Sequence, residues 1–142
     1  MPTDTTNIVF QQAVAFITQT NKQLFLTGKA GTGKTTFLKY IVENCFKKMA
    51  VVAPTGVAAI NAGGVTIHSF FQLPFGMFIQ HHPAAWGGVD GAIYNKNELL
   101  GKLRLSSSRR ELIRELDLLI IDEVSMVRAD MLDAVDTVLR SV

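Results

Sequence analysis

A single cysteine, no long apolar run and no strong excess of either charge each remove a class of protein. One cysteine, Cys45, in 142 residues leaves no internal disulfide framework and no cysteine-cluster metal site. It sits among Phe37, Leu38, Ile41, Val42 and Phe46 at helical spacing, which predicts a small buried apolar residue. No apolar run is long enough to cross a bilayer, so no membrane partner is expected. The opening residues lack the basic stretch and apolar core of a secretory signal, and a reducing, intracellular, cytoplasmic setting is the expectation. The net charge of +2 neither requires nor excludes a nucleic-acid partner. A disordered chain is excluded by the 48% of hydrophobic residues.

What is present is an alternation of short apolar strands and amphipathic helices. Residues 8–18 carry a helical pattern behind Thr6 and Asn7 as caps. Gln23–Thr27 reads as a strand, Thr35–Lys47 as a helix, and Ala50–Ala53 as a buried strand ended by Pro54. Val57–Ala62 reads as a short helix closed by Gly63-Gly64, Leu116–Ile121 as a strand, and Ala129–Arg140 as a helix. Such alternation predicts an α/β fold with a parallel sheet flanked by helices. The interval from Pro74 to about Asn97 lacks periodicity and reads as a long loop. His81-His82 has no third ligand at suitable spacing, and Trp86 in the same interval reads as a partly buried ring. Lys96–Arg114 is basic and partly helical; Glu98 and Glu111 dilute it, which favours a solvated helix face over a DNA-tracking one.

Between the first predicted strand, Gln23–Thr27, and the helix that follows it lies Gly28-Lys29-Ala30-Gly31-Thr32-Gly33-Lys34-Thr35, the Walker A pattern. Phosphate binding needs many donors converging on one anion without side chains in the way. Glycines 28, 31 and 33 let the backbone curl so that N–H groups, including those of Ala30 and Thr32, face inward. The following helix points its unsatisfied N–H groups and positive dipole end at the same place. Lys34 is spaced to reach the β- and γ-phosphates of ATP, Thr35 to coordinate Mg²⁺, and Thr36 to support them. Downstream, Leu118-Leu119-Ile120-Ile121-Asp122-Glu123 is an apolar strand ending in two carboxylates, the Walker B pattern. Asp122 is expected to bind the magnesium through water, and Glu123 to orient and deprotonate the hydrolytic water.

Three further segments narrow the class. Ala53-Pro54-Thr55-Gly56-Val57-Ala58-Ala59, Gly63-Gly64-Val65-Thr66-Ile67-His68-Ser69-Phe70-Phe71 and Asp122-Glu123-Val124-Ser125-Met126-Val127 resemble the PIF-type helicases of superfamily 1B, the group that includes RecD-like helicases. The resemblance runs from about Gln11 to Arg140 and is weakest between Phe75 and Leu112. It implies a P-loop NTPase of RecA-like architecture, with residues 1–142 as part of one ATP-binding domain. Within it, residues 1–22 form an adenine-contact helix and 23–73 the Walker A and DNA-contact segments. Residues 74–115 form a loop and basic excursion, and 116–142 the Walker B strand and following helix.

The resemblance also implies residue roles. Gln11, with Gln12 as its competitor, would read adenine through a side-chain amide that both donates and accepts. Pro54, Thr55 and Gly56 would meet the backbone of single-stranded DNA, with His68 and Ser69 as a second contact. Phe70 or Phe71 would stack on a base if it is not core. A γ-phosphate sensor and a second RecA-like domain, with its transition-state arginine, are expected after Val142 in cis, leaving the sheet incomplete at the C-terminus and open to oligomerisation. Such an arginine is worth roughly 10³–10⁵ in rate, so little turnover is expected from these residues alone. The activity implied is ATP-dependent five-prime to three-prime DNA unwinding. Another P-loop ATPase and an inactive nucleotide-binding remnant are the alternatives.

Overall fold

The computed structural model describes residues 7–81 and 93–142. The Thr6 cap, His82 and Trp86 lie outside the described residues. The chain forms two compact units, Met1–Met49 and Ala50–Val142.

In the first unit, helix α1 (Ile8–Gln19) starts where the Asn7 side chain accepts from the backbone N–H groups of Val9 and Phe10. Helix α2 spans Lys34–Asn44. The two helices meet through Phe10, whose ring stands edge-on to Phe37 at 5.1 Å and to Tyr40 at 5.2 Å. Lys47 ties down the exit of α1 by donating to the Thr20 carbonyl at 2.6 Å.

Two expectations are corrected here. Gln23–Thr27 forms no strand, and no strand among the described residues pairs with it. An apolar run becomes a strand only when a neighbour takes its backbone hydrogen bonds, and Phe25 is instead 74% exposed. Cys45 is half-buried rather than core, because α2 stops at Asn44 and Cys45 turns into extended backbone.

The second unit is built on a three-stranded sheet in the order β2-β1-β5, with β1 at Met49–Ala53, β2 at Val65–Thr66 and β5 at Leu118–Ile121. β1 and β2 run parallel, with Val52 opposite Val65 and Ala53 opposite Thr66. Helix α3 (Gly56–Ala62) joins them; Thr55 caps its start and Gly63, at φ +69°, its end. Gly64 then passes so close to β1 that a Cβ there would collide with the Val51 carbonyl. This is the α/β fold with a parallel sheet and flanking helices that the alternation predicts.

Helix α4 (Ile67–Phe71) follows β2 directly. The interval expected to be a loop holds a short parallel pair, β3 (Met77–Phe78) against β4 (Ile93–Tyr94). Strands of two residues leave no periodicity to read. Helices α5 (Lys96–Lys102) and α6 (Ser107–Arg114) account for the basic stretch, and α7 (Ala129–Ser141) closes the unit. One core joins these elements: Val52, Ile67, Phe71, Leu99, Ile113 and Val138 are all essentially inaccessible. Two of the cations cover aromatic rings, Lys102 over Tyr94 at 4.5 Å and Arg109 over Phe70 at 5.5 Å. No described helix is long and apolar enough to cross a membrane.

Candidate functional site

The glycine loop has the backbone that phosphate binding needs. Gly31 and Gly33 adopt φ of +77° and +92°, values that a side chain would strain. A Cβ on Gly28 would come within 2.6 Å of the Thr32 hydroxyl, which itself donates to the Lys29 carbonyl at 2.8 Å. Gly33 is the N-cap of α2 and offers no side chain to its first N–H groups, which keeps these donors for an anion. Lys34 folds back over the loop, its ammonium donating to the carbonyls of Gly28 at 2.7 Å and Lys29 at 3.0 Å. Thr35 and Thr36 are exposed on the first turn, and Phe37 anchors that turn in the core of its unit. Gln11 and Gln12 lie exposed on α1.

In the second unit the backbone N–H of Asp122 donates to the Val52 carbonyl at 2.9 Å. The carboxyl ends of β1 and β5 therefore lie side by side, and the Ala53–Thr66 register brings the end of β2 to the same edge. Ligands of parallel sheets bind beyond this edge. The three segments after these strands hold Pro54–Gly56, His68–Ser69 and Asp122–Glu123. Asp122 is half-buried, and its Oδ1 accepts from the Glu123 N–H at 3.0 Å. Glu123 takes φ +50°, ψ 42°, a left-handed conformation rare outside glycine, which exposes its carboxylate on a single-residue kink.

Thr55 is half-buried and its hydroxyl oxygen accepts from the Ala58 N–H at 3.2 Å. Ser69 is exposed on α4. His68 stacks on Phe75 with centroids 4.8 Å apart and planes 23° from parallel. Its imidazole pKa is lowered, first by burial and then by the nearby Arg128 charge, which favours the neutral ring. Phe70 requires a correction: it is 5% exposed, edge-on to Phe71 and covered by Arg109, so neither face is open to a base. Both adjacent aromatics of this five-residue helix belong to the core of the second unit.

Arg128 and Asp130 were not singled out by any motif. Arg128 donates from Nε to Asp130 Oδ1 at 2.8 Å, and from Nη2 to Asp130 Oδ2 at 2.5 Å and the Gly76 carbonyl at 3.0 Å. Asp130 Oδ2 also accepts from the Phe78 N–H at 3.0 Å. The pair thus clamps the chain on both sides of Met77. Its sequence signal, two opposite charges bracketing a helix start, is too common to read without coordinates.

Residues 3–84 match the family described as PIF1-like helicase. The chain belongs to the PIF1-like helicase family. It is 31% identical over 137 residues to the ATP-dependent DNA helicase PIF1 of Saccharomyces cerevisiae, covering 93% of this chain and 14% of that protein. With the corresponding Danio rerio helicase, identity is 36% over 136 residues, covering 93% of this chain and 18% of the other. A Bacteroides Pif1 bound to ssDNA superposes with a TM-score of 0.75 at 43% identity, over 95% of this chain and 27% of that one. A Bacteroides Pif1 in complex with ADP-AlF4 gives the same score and identity over 93% and 27%. The chain therefore spans well under a third of these PIF1-like relatives.

Proposed function

We propose that this chain is the nucleotide-binding front of an ATP-dependent DNA helicase motor that moves five-prime to three-prime on single-stranded DNA. The observation that carries the reading is the glycine loop, with a helix start left to an anion and the Lys34 ammonium held above it. Residues 1–142 belong on this reading to one RecA-like domain, with a second in cis.

Each residue then has a task. The inward N–H groups from Gly28 to Gly33 bind the phosphates of ATP, and Lys34 exchanges its two carbonyl partners for phosphate oxygens. The exposed amide of Gln11 takes the adenine edge. Thr35 and Asp122, a hydroxyl and a carboxylate of the kind magnesium prefers, would hold the ion, whose charge offsets that of the β- and γ-phosphates. Glu123 accepts a proton from the attacking water, and the kink at its backbone sets its carboxylate apart from that of Asp122. The Thr55 oxygen accepts the helix-capping bond while its proton is available to a DNA phosphate. Support for DNA as the track comes from the PIF1-like relatives and from a Bacteroides Pif1 that is bound to ssDNA.

ATP hydrolysis by the full-length protein, with and without single-stranded DNA, tests the reading. We expect stimulation by DNA, and loss of turnover with retained ATP binding in Glu123→Gln. Hydrolysis indifferent to DNA would assign the motor to another task.

A further inference from the structure

We propose that Phe75 is a base-stacking platform for single-stranded nucleic acid, built on His68 and held in place by the Arg128–Asp130 clamp. The inference rests on the helicase reading and adds to it a contact that no motif of the sequence marks.

Phe75 is 82% exposed, an expensive position for a phenyl ring in water. Its ring nevertheless has a fixed seat: one face lies nearly parallel to the His68 imidazole at 4.8 Å. A ring supported on one face and open on the other suits a planar aromatic ligand, which extends the stack. The backbone beneath is fixed as well. Gly76 takes φ +148°, and its carbonyl accepts from Arg128 at 3.0 Å. Two residues on, the Phe78 N–H is bound to Asp130 and its side chain is core. Phe75 is thus presented by an anchored turn.

The surroundings favour a nucleotide over an apolar partner. Ser69, exposed, lies one residue beyond His68 on α4, and the half-exposed Arg128 uses Nε and Nη2 for its bonds, none among the described residues using Nη1. The Arg128 guanidinium, bonded to the carbonyl of Gly76 next to this ring in the chain, can take a phosphate while the ring takes its base. Met77 and Ile79, partly exposed on the same segment, are what a protein partner would use instead.

Binding of the 142-residue chain to fluorescent oligo(dT) and to an abasic oligonucleotide of equal length separates these outcomes. Wild-type chain should prefer oligo(dT). Phe75→Ala should raise Kd for oligo(dT) by about 5- to 150-fold, the range of one base–aromatic stack, and should erase the preference over the abasic strand. Phe75→Trp should retain both. Wild-type binding unchanged in Phe75→Ala, or a loss equal for both strands, overturns the platform and leaves the helicase reading standing. No binding of either strand by the wild-type chain overturns the platform, while DNA stimulation of ATP hydrolysis in the full-length protein decides the helicase reading separately. Unchanged thermal unfolding of Phe75→Ala shows that a lost contact, not a lost fold, is being read.

Discussion

The backbone N–H of Asp122 donates to the carbonyl of Val52 at 2.9 Å, so the strand carrying the two acidic residues lies against the strand that leads into Thr55. With Thr66 opposite Ala53, three segments far apart in sequence leave the sheet at one edge. The backbone ladder and the packing of Val52, Leu119 and Ile121 hold this arrangement, so substitutions of the Asp122 or Glu123 side chains should leave the fold intact.

The passage of Gly64 against β1 makes a stability prediction. A methyl group there meets the Val51 carbonyl, which belongs to the sheet and cannot move aside. Gly64→Ala should lower unfolding stability by roughly 1–3 kcal/mol. Gly101, within α5 and with nothing near its missing Cβ, is the control. Gly101→Ala should raise stability by about 0.5–1 kcal/mol. Urea denaturation of both variants measures the contrast.

Thr55 serves the fold, because its hydroxyl caps α3, and on the proposed reading it serves DNA as well. Thr55→Ala should cost about 1 kcal/mol of stability and weaken single-stranded DNA binding. Thr55→Ser keeps an oxygen in place and should preserve both. Denaturation and DNA titration of the two variants give the comparison; a Ser variant as weak as Ala would contradict the assigned role.

How much of this was legible in the sequence follows from how local each signal is. The glycine loop, the cap at Asn7 and the helices around them are written in neighbouring residues, and the structure has them. Gln23–Thr27 reads as a strand because apolar residues are necessary for one, but a ladder partner is a property of the whole sheet. Phe70 and Phe75 show the same limit. Both are phenylalanines near His68, and only the path of the chain decides that the first is core and the second is exposed. The clamp of Arg128 and Asp130 on Gly76 and Phe78 spans 52 positions, a distance at which no spacing rule operates.

That clamp also predicts an acid limb. The Asp130 carboxyl is held from its ordinary 3.8 down to about 2, first by its hydrogen bonds from Arg128, with burial opposing and the Phe78 N–H adding to the effect. The folded protein therefore keeps this carboxylate charged where the unfolded chain protonates it. Its contribution to stability is whole above pH 3.8 and fades as pH falls towards 2. Asp130→Asn should lower stability at neutral pH and flatten the decline between those values, as followed by circular dichroism against pH.

The phosphate loop is the claim on which the function rests, and titration of a fluorescent ATP analogue with magnesium into the wild-type chain and Lys34→Ala tests it most directly. Lys34 is exposed and bonds only to carbonyls of its own loop among the described residues, so its loss should spare the fold. Saturable binding by the wild-type chain that disappears in Lys34→Ala, with the unfolding midpoint unchanged, is the predicted result. Equal affinity in the two proteins would contradict the account.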